Sequence, residues 1–273
     1  MAGICQAGHL RLTARRLAGR TRLTDLDWRP PLQAMRAHYL DPALPEMAFV
    51  AVMSPSGGVL QGDRLELAVR AEAAAQLHLA TTSATRIYRM PRAEARQHTR
   101  IHVGPGALVE FVPDPYLPYA GSRFVHTGCH EVAETGTLIL VEVIAPGRQA
   151  RGEELAFERF STLVEARRPG GRLVFRDRCV LEPRRGLGRR GLLGGHAALG
   201  SLFVVSRGLS SDVLAAAVDG VPCAGCSELP GGAGAWLRVL AGDSATAAAA
   251  VHAAWRAARV ALTGAEPPPP RRY

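Results

Sequence analysis

A glycine-rich run, Ser54-Pro55-Ser56-Gly57-Gly58-Val59-Leu60-Gln61-Gly62-Asp63, separates an apolar segment at residues 49–53 from an alternating segment at residues 65–69. Glycine is favoured where the backbone needs a positive φ or must approach another segment closely. A phosphate-binding P-loop would need a lysine after its last glycine, and this chain contains no lysine. The run therefore predicts a tight crossing between two strands.

The composition indicates a large core that is poor in aromatic residues. Hydrophobic residues make up 47% of the 273 residues and aromatic residues only 5%, so Ala, Val and Leu must fill the interior. All 33 basic side chains are arginine, and the net charge is +9. Such a charge suits nucleic acid, an acidic membrane or an acidic protein as a partner. The absence of lysine excludes Schiff-base and lysine-nucleophile chemistry.

The cysteines indicate a reducing compartment. Their number is odd, they are widely spread, and the N-terminus does not show the pattern of a secretory signal. We therefore expect a cytoplasmic protein. No window reaches 18 uninterrupted apolar residues, so no membrane span is expected. The five cysteines are Cys5, Cys129, Cys179, Cys223 and Cys226.

Pairs of short strands recur along the middle of the chain. The second strand of each pair opens at a small residue, at positions 75, 107, 137 and 171, after first strands at 65–70, 99–103, 130–132 and 160–165. Repeats of this length indicate stacked supersecondary units that bury their apolar faces on one another. We expect a mainly β fold, a β-helix or solenoid-like stack of hairpin-like strand pairs, with a few C-terminal α-helices.

The flanking segments have other patterns. Residues 8–30 predict one or two edge strands with a turn at 19–21, and the prolines between residues 28 and 45 exclude a long helix or a central strand there. Residues 47–53 predict an apolar strand, residues 213–218 a short helix capped within residues 210–212, and residues 236–240 a strand.

The last predicted element is a long helix that begins at Asp243 or Ser244 and ends near residue 262, before Gly264 and four prolines. The expected buried stripe, at helical spacing, is Val251, Trp255, Ala258 and Leu262. Arg256 and Arg259 are expected to lie outside that stripe. We treat residues 1–273 as a single domain, with a solenoid-like body at 20–200, an α+β part at 201–264 and a Pro/Arg tail at 265–273.

Two cysteine and histidine groups are candidate metal ligands. Cys223 and Cys226 form a CxxC motif in a segment that predicts a turn-rich loop. Such a motif can be a redox pair or half of a zinc site, but a zinc site would need two further ligands. On a strand, His126 and His130 would share a face and Cys129 would point away. Transient metal contact is one interpretation of this second group, and an ordinary surface strand is the other.

Carboxylates inside predicted strands form a second set of candidates, which are Glu110, Glu142 and Asp177, with Glu153 and Glu154 after a loop. A carboxylate in an apolar strand needs a partner or water, and a glycosidase would need two held close together. A solvated strand face is the alternative. Nine arginines lie within residues 167–190 with Phe175 as the only aromatic residue, so this segment indicates a solvated loop or an acidic-protein contact more than a nucleic-acid site.

Four segments, in order along the chain, resemble the urease accessory protein D (UreD) family. They are the run ending at Asp63, residues 81–89, residues 110–119 and residues 147–153, and the resemblance extends from about residue 20 to the end. Ser83, Arg86 and Gln61 depart from the family pattern. The matched positions are Gly57, Gly58, Gly62, Thr81, Thr82, Tyr88, Arg89, Glu110, Pro113, Pro115, Gly147, Arg148, Gly152 and Glu153.

The resemblance implies a protein that is not an enzyme but a scaffold and chaperone for nickel insertion. It implies a β-helix with C-terminal helices. It also implies that the protein binds apo-urease and the accessory F and G proteins, of which G is a GTPase, and that it can form a homodimer within that complex. It implies no nucleic-acid or membrane partner and no tightly bound cofactor. Nickel would be bound transiently along an internal tunnel, with Asp63, Glu142 and Asp177 as candidate contacts. The alternatives are a β-solenoid carbohydrate-active enzyme and a basic nucleic-acid-binding protein.

Overall fold

The computed structural model describes residues 6–187 and 193–268. Within this part of the chain the fold is mainly β, as the sequence predicts, with two α-helices in the C-terminal third. The strands are β1 (Ala7–Leu17), β2 (Arg20–Arg29), β3 (Gln33–Ala34), β4 (Ala48–Met53), β5 (Arg64–Ala71), β6 (Gln76–Thr81), β7 (Thr85–Ile87), β8 (Ala95–Val103), β9 (Leu108–Phe111), β10 (Tyr116–Pro118), β11 (Arg123–Val132), β12 (Thr137–Ile144), β13 (Arg159–Arg167), β14 (Leu173–Leu181), β15 (Ala198–Val205), β16 (Ala224–Glu228) and β17 (Gly234–Ala241). The helices are α1 (Ser211–Ala217) and α2 (Ser244–Thr263).

Two sheets face each other. Sheet A has seven strands in the order β14-β13-β11-β8-β5-β1-β2. Sheet B follows the order β16-β17-β15-β12-β9-β6-β4-β3, with β7 and β10 joined at the side of β12. One apolar core fills the space between the sheets, and a second lies between sheet B and the helices.

Successive units of the predicted repeat stack in parallel and give the solenoid-like body. The strand pairs β5/β6, β8/β9 and β11/β12 each place one strand in sheet A and the next in sheet B. The prediction of hairpin-like units is therefore wrong for these three. Each unit is an arch, because only an arch turns the apolar faces of both strands toward the same core. The fourth pair, β13/β14, is an antiparallel hairpin within sheet A, and sheet B continues with β15 antiparallel to β12.

The N-terminal strands agree with the sequence prediction of one or two edge strands. β1 and β2 form an antiparallel hairpin, and β2 lies at the edge of sheet A, whereas β1 also pairs in parallel with β5. The proline-containing segment that follows forms only the two-residue strand β3 before β4.

Helix α2 packs on sheet B with a buried face of small residues. Asp243 caps its N-terminus through the backbone N–H of Thr246, and Gly264 ends it in the left-handed conformation, as predicted. A Cβ atom at Gly200 of β15 would lie 2.6 Å from Val251, so the helix approaches the sheet very closely. The buried residues are Ala247, Ala250, Val251, Ala254, Ala258 and Arg259.

The predicted stripe of α2 is wrong at three positions. Trp255 and Leu262 are only partly buried, whereas Arg259 is completely buried. Because α2 lies so close to sheet B, small side chains such as alanine fit beneath the helix axis, and larger side chains lie at the flanks of the helix. Arg259 is buried because two carboxylates compensate its charge, as described below.

The glycine-rich run crosses from β4 in sheet B to β5 in sheet A, as predicted. Val59 pairs with the β7 segment, since its N–H donates to Arg86 O at 2.8 Å and its carbonyl accepts from Tyr88 N at 3.0 Å. Gly58 has φ +153°, and a Cβ atom there would lie 2.5 Å from Arg86 O. The glycine is therefore required by backbone conformation and by contact with the neighbouring backbone.

We expect Gly58→Ala to lower the free energy of unfolding by about 2–3 kcal/mol, because the methyl group must displace backbone that pairs with the crossing. Urea unfolding measures this loss. Gly170→Ala is the matched control, since Gly170 also has positive φ (+85°) but open space around its Cβ position. An equal loss in both variants would show that backbone strain alone, and not the close approach, constrains Gly58.

Candidate functional site

The interior between the sheets is polar on one side of the stack. Strands β8, β11, β13 and β14 pair in register, and Glu142 of sheet B faces the row that they form. On β5 the same row continues with Leu65, so the polar character begins at β8. The row in sheet A is Gln97, His126, Thr162 and Cys179. We call this row and Glu142, together with the neighbouring Tyr116, His130 and Asp177, the interior cluster.

Glu142 is 6% exposed and has two partners from sheet A. Its Oε2 atom accepts a hydrogen bond from Thr162 Oγ1 at 2.9 Å and lies 3.4 Å from His126 Nδ1. The Nε2 atom of His126 is 3.1 Å from Thr99 Oγ1. Glu142 therefore has the partners that a carboxylate in an apolar strand needs, and it does not lie on a solvated strand face.

Two other groups of the interior cluster are neutral at pH 7. Burial raises the pKa of the Tyr116 hydroxyl far above its ordinary value, and the charge of Glu142 adds to the effect. Burial lowers the pKa of His130 to about 3, with smaller contributions from His126 and His98. The Nδ1 atom of His130 has no hydrogen-bond partner among the described residues.

Asp177 lies at the β14 side of the interior cluster. Arg238 of β17 reaches across from sheet B and places Nη2 2.7 Å from Asp177 Oδ1. Burial raises the pKa of the nearby Cys179 thiol to about 11, and the charges of Glu142 and Asp177 both contribute. The structure therefore brings two of the three predicted carboxylates to the surroundings of one thiol.

Asp63, the third predicted carboxylate, is 1% exposed and is held by backbone groups. Its Oδ2 atom accepts from Leu60 N at 2.8 Å, and its Oδ1 atom accepts from Gln6 N at 3.2 Å. These bonds close the turn of the glycine-rich run and tie it to the start of β1. Asp63 thus fixes the crossing, with partners different from those of Glu142 and Asp177.

Most of the matched family positions lie in loops and strand ends at one end of the solenoid. The Tyr88 hydroxyl donates to Gly57 O at 3.4 Å, the Tyr88 and Tyr119 rings meet edge-on at 5.1 Å, and the Arg148 guanidinium lies 4.1 Å above the Tyr119 ring. Arg148 also forms an ion pair with Glu153. The remaining matched positions of these segments are Gly58, Gly62, Thr81, Thr82, Arg89, Pro113, Pro115, Gly147 and Gly152.

Glu110 faces the helices and not the interior cluster. Its Oε2 atom accepts from Arg259 Nη1 at 2.9 Å and lies 2.7 Å from His78 Nδ1, and Arg259 also pairs with Asp41. Arg259, Asp41 and Glu110 are each at most 3% exposed. Arg259 is thus buried, against the prediction, and no local sequence pattern marks Arg259 or Asp41 as a member of this group.

The two cysteines of the CxxC motif are both free and have different neighbours. The predicted loop is partly a strand, β16, in which Cys226 packs toward the helices. Cys223 is exposed and its Sγ atom lies 3.0 Å from His196 Nε2. Cys223 lies in the turn that precedes β16, so the motif spans a turn and a strand.

The histidine group at β11 is buried, because β11 lies in the middle of sheet A. His126 and His130 share the inner face and Cys129 points outward, as predicted for a strand, whereas the interpretation as a surface strand is wrong. Among residues 6–187 and 193–268, no group of three or more His, Cys, Asp or Glu side chains is arranged to hold a metal ion.

The predicted arginine-rich loop contains the strand β14 at residues 173–181. Arg168 is 3% exposed and donates to the carbonyl oxygens of Val132 and Ala133, so this arginine is structural and not solvated. Cys5, Arg189, Arg190 and the tail after residue 268 lie outside the described residues.

The fold and the interior cluster define a solenoid-like β protein with a polar interior and a covering helix. The family model described as UreD urease accessory protein matches residues 6–273. The chain therefore belongs to the UreD family of urease accessory proteins, which confirms the resemblance of the four segments. Neither of the two α-helices in the described part of the chain combines the length and the hydrophobicity that a membrane-spanning helix requires.

Relatives from distant organisms are similar over most of their length. Urease accessory protein UreD 2 of Streptomyces griseus subsp. griseus is 37% identical over 258 residues, which cover 92% of this chain and 88% of that protein. UreD 2 of Brucella suis biovar 1 is 35% identical over 268 residues, with coverages of 95% and 89%. UreD of Haloarcula marismortui is 35% identical over 272 residues, with coverages of 97% and 90%.

Proposed function

We propose that this chain is a urease maturation scaffold that catalyses no reaction itself. In this proposal it acts in the cytoplasm as a chaperone of apo-urease, binds the accessory F and G proteins, and helps nickel reach the urease active site. The observation that carries the proposal is the interior cluster, a set of polar side chains between two sheets that are otherwise packed with apolar residues, in a chain of the UreD family.

The side chains of the interior cluster suit a cation that binds briefly. Imidazole, carboxylate and thiolate are the ligand types that a borderline divalent ion accepts. Glu142 and His126 offer one oxygen and one nitrogen 3.4 Å apart, and Cys179 would have to lose its proton before it could bind. Two ligands hold an ion weakly, and transfer requires weak binding because the ion must also leave.

The charge of Glu142 is the part of this cluster that nickel transfer would need. We expect Glu142→Gln to lower urease activation and urease nickel content roughly tenfold, because the amide keeps the hydrogen bond from Thr162 but removes the negative charge. Metal analysis of urease purified after co-expression measures the effect. Glu228→Gln, at an exposed position of the edge strand β16, is the matched control.

Variants of Asp63 and Asp177 test the proposed nickel path in different ways. Asp63→Asn should lower stability because it weakens the turn that Asp63 closes, so its nickel result is interpretable only at equal amounts of folded protein. Asp177→Asn leaves Arg238 without its charged partner and tests the far side of the interior cluster. Full metallation with all three variants, each shown to be folded, would contradict the proposed path.

A further inference from the structure

The outer face of sheet A is uncovered by any element in the described part of the chain, whereas helices cover sheet B. On much of this face the arginines are neutralised within the chain. Glu66 pairs with Arg11 and Arg100, and Glu165 pairs with Arg167 and Arg176.

At the end of this face where the strands begin, the neutralisation of arginines by carboxylates is less complete. A concavity of about 580 Å³ lies over the first residues of β5 and β8 and the middle of β11. Arg64, Arg96 and His98 line it together with apolar and neutral side chains, and none of its lining residues is a carboxylate. We call this hollow the β8 concavity.

Arg64 and Arg96 are direct neighbours in the parallel ladder, and both side chains are exposed. Arg96 has Glu94 at its side, at 2.6 Å, but Arg64 forms no ion pair with any described residue. Like charges on adjacent strands repel each other and destabilise the sheet. An anion between the two guanidinium groups would remove this repulsion, and a guanidinium group matches a carboxylate with two parallel N–H donors.

We propose that the β8 concavity is a docking site for an acidic segment of a partner protein, whose Asp or Glu carboxylates bind between Arg64 and Arg96. This inference rests on the proposed function in one respect, which is that the partner is a protein. Burial lowers the pKa of His98, so His98 is a neutral hydrogen-bonding group beside the two fixed charges.

The same face suits nucleic acid and membranes less well. No Phe, Tyr or Trp lines the concavity, so a base would find no stacking partner. Glu66 and Glu94 lie beside it and would repel a continuous run of phosphates, whereas a folded partner can place its own cations opposite them. The lining has no large exposed apolar side chain that would enter a bilayer.

The test compares charge reversals at two places on the full chain. A fluorescein-labelled peptide of twelve glutamates is titrated with wild type, R64E/R96E and R22E/R36E, with fluorescence anisotropy as the readout. Arg22 and Arg36 are exposed and have no ion pair among the described residues, so both double variants change the net charge equally. We expect R64E/R96E to weaken binding roughly tenfold, about 1.4 kcal/mol, R22E/R36E to weaken it less than about twofold, and wild-type affinity to fall as salt is raised.

Three results of the binding measurements would overturn the proposal. They are equal weakening in both double variants, tighter wild-type binding to a twenty-base-pair DNA duplex than to the peptide, and R64E/R96E-sensitive binding to phosphatidylserine vesicles in place of the peptide. A pull-down of co-expressed urease subunits separates this inference from the proposed function. If wild type retains no urease, the accessory role fails; if wild type and R64E/R96E retain urease equally, only the docking site fails.

Discussion

Arg259→Met should lower the free energy of unfolding by about 3–5 kcal/mol, the usual loss when one partner of a buried ion pair is removed. Methionine fills much of the volume, but Asp41 and Glu110 would remain buried without their cation. The three groups come from widely separated parts of the chain, so the loss should affect the whole cooperative transition. Urea unfolding followed by circular dichroism measures it.

Two further variants identify the cause. Arg256→Met removes an arginine from the same helix, but its ion pair with Glu266 is exposed and should contribute less than about 1 kcal/mol. The triple variant D41N/E110Q/R259M removes the charges together and should regain part of the stability. A loss from R256M as large as that from R259M would show that the buried charges do not determine the result, since Arg and Met have similar helix propensities.

His130 should make the protein sensitive to acid. Its pKa is about 3 in the folded state and about 6.5 in an unfolded chain, so the unfolded state binds more protons between these values. Stability from this group is complete above pH 6.5 and is lost as the pH falls. Two pH units below 6.5, at pH 4.5, the loss from His130 alone should be on the order of 3 kcal/mol.

His130→Leu should remove this part of the acid sensitivity. The Nδ1 atom of His130 has no partner to lose, so stability at pH 7.5 should change by less than about 1.5 kcal/mol. Urea midpoints of wild type and variant at pH 7.5 and 4.5 give the difference directly. His102→Gln, on the outer face of sheet A beside Glu131, is the control and should keep the acid loss of wild type. Equal losses in H130L and wild type would contradict the burial of a neutral His130.

Local sequence patterns predicted where the strands and helices of this fold lie better than they predicted which strands pair with each other. The small residues that open each second strand and the caps of α2 act over a few positions, so they can be read directly. Whether β5 and β6 form a hairpin or an arch depends on which sheet receives the second strand. That choice is made by burial across the whole stack, and both arrangements fit the same alternating pattern.

The candidate site shows the same limit. The sequence predicts that Glu142 needs a partner, because it interrupts an apolar strand. It does not identify His126 and Thr162, which come from the opposite sheet and meet Glu142 through the register of β11 and β13. Asp63 belongs to a matched family segment, but only the structure shows that backbone donors occupy both its oxygens.

The ion pairs of Arg259 also impose an order on biosynthesis. A ribosome completes Asp41 and Glu110 long before α2, so the nascent solenoid carries two carboxylates that lack their cation until α2 emerges. Burying such charges alone is costly, so we expect this side of sheet B to stay hydrated in the growing chain. We therefore expect the second core to close only after α2 has been synthesised, and chains truncated before α2 should be preferred substrates for cellular proteases.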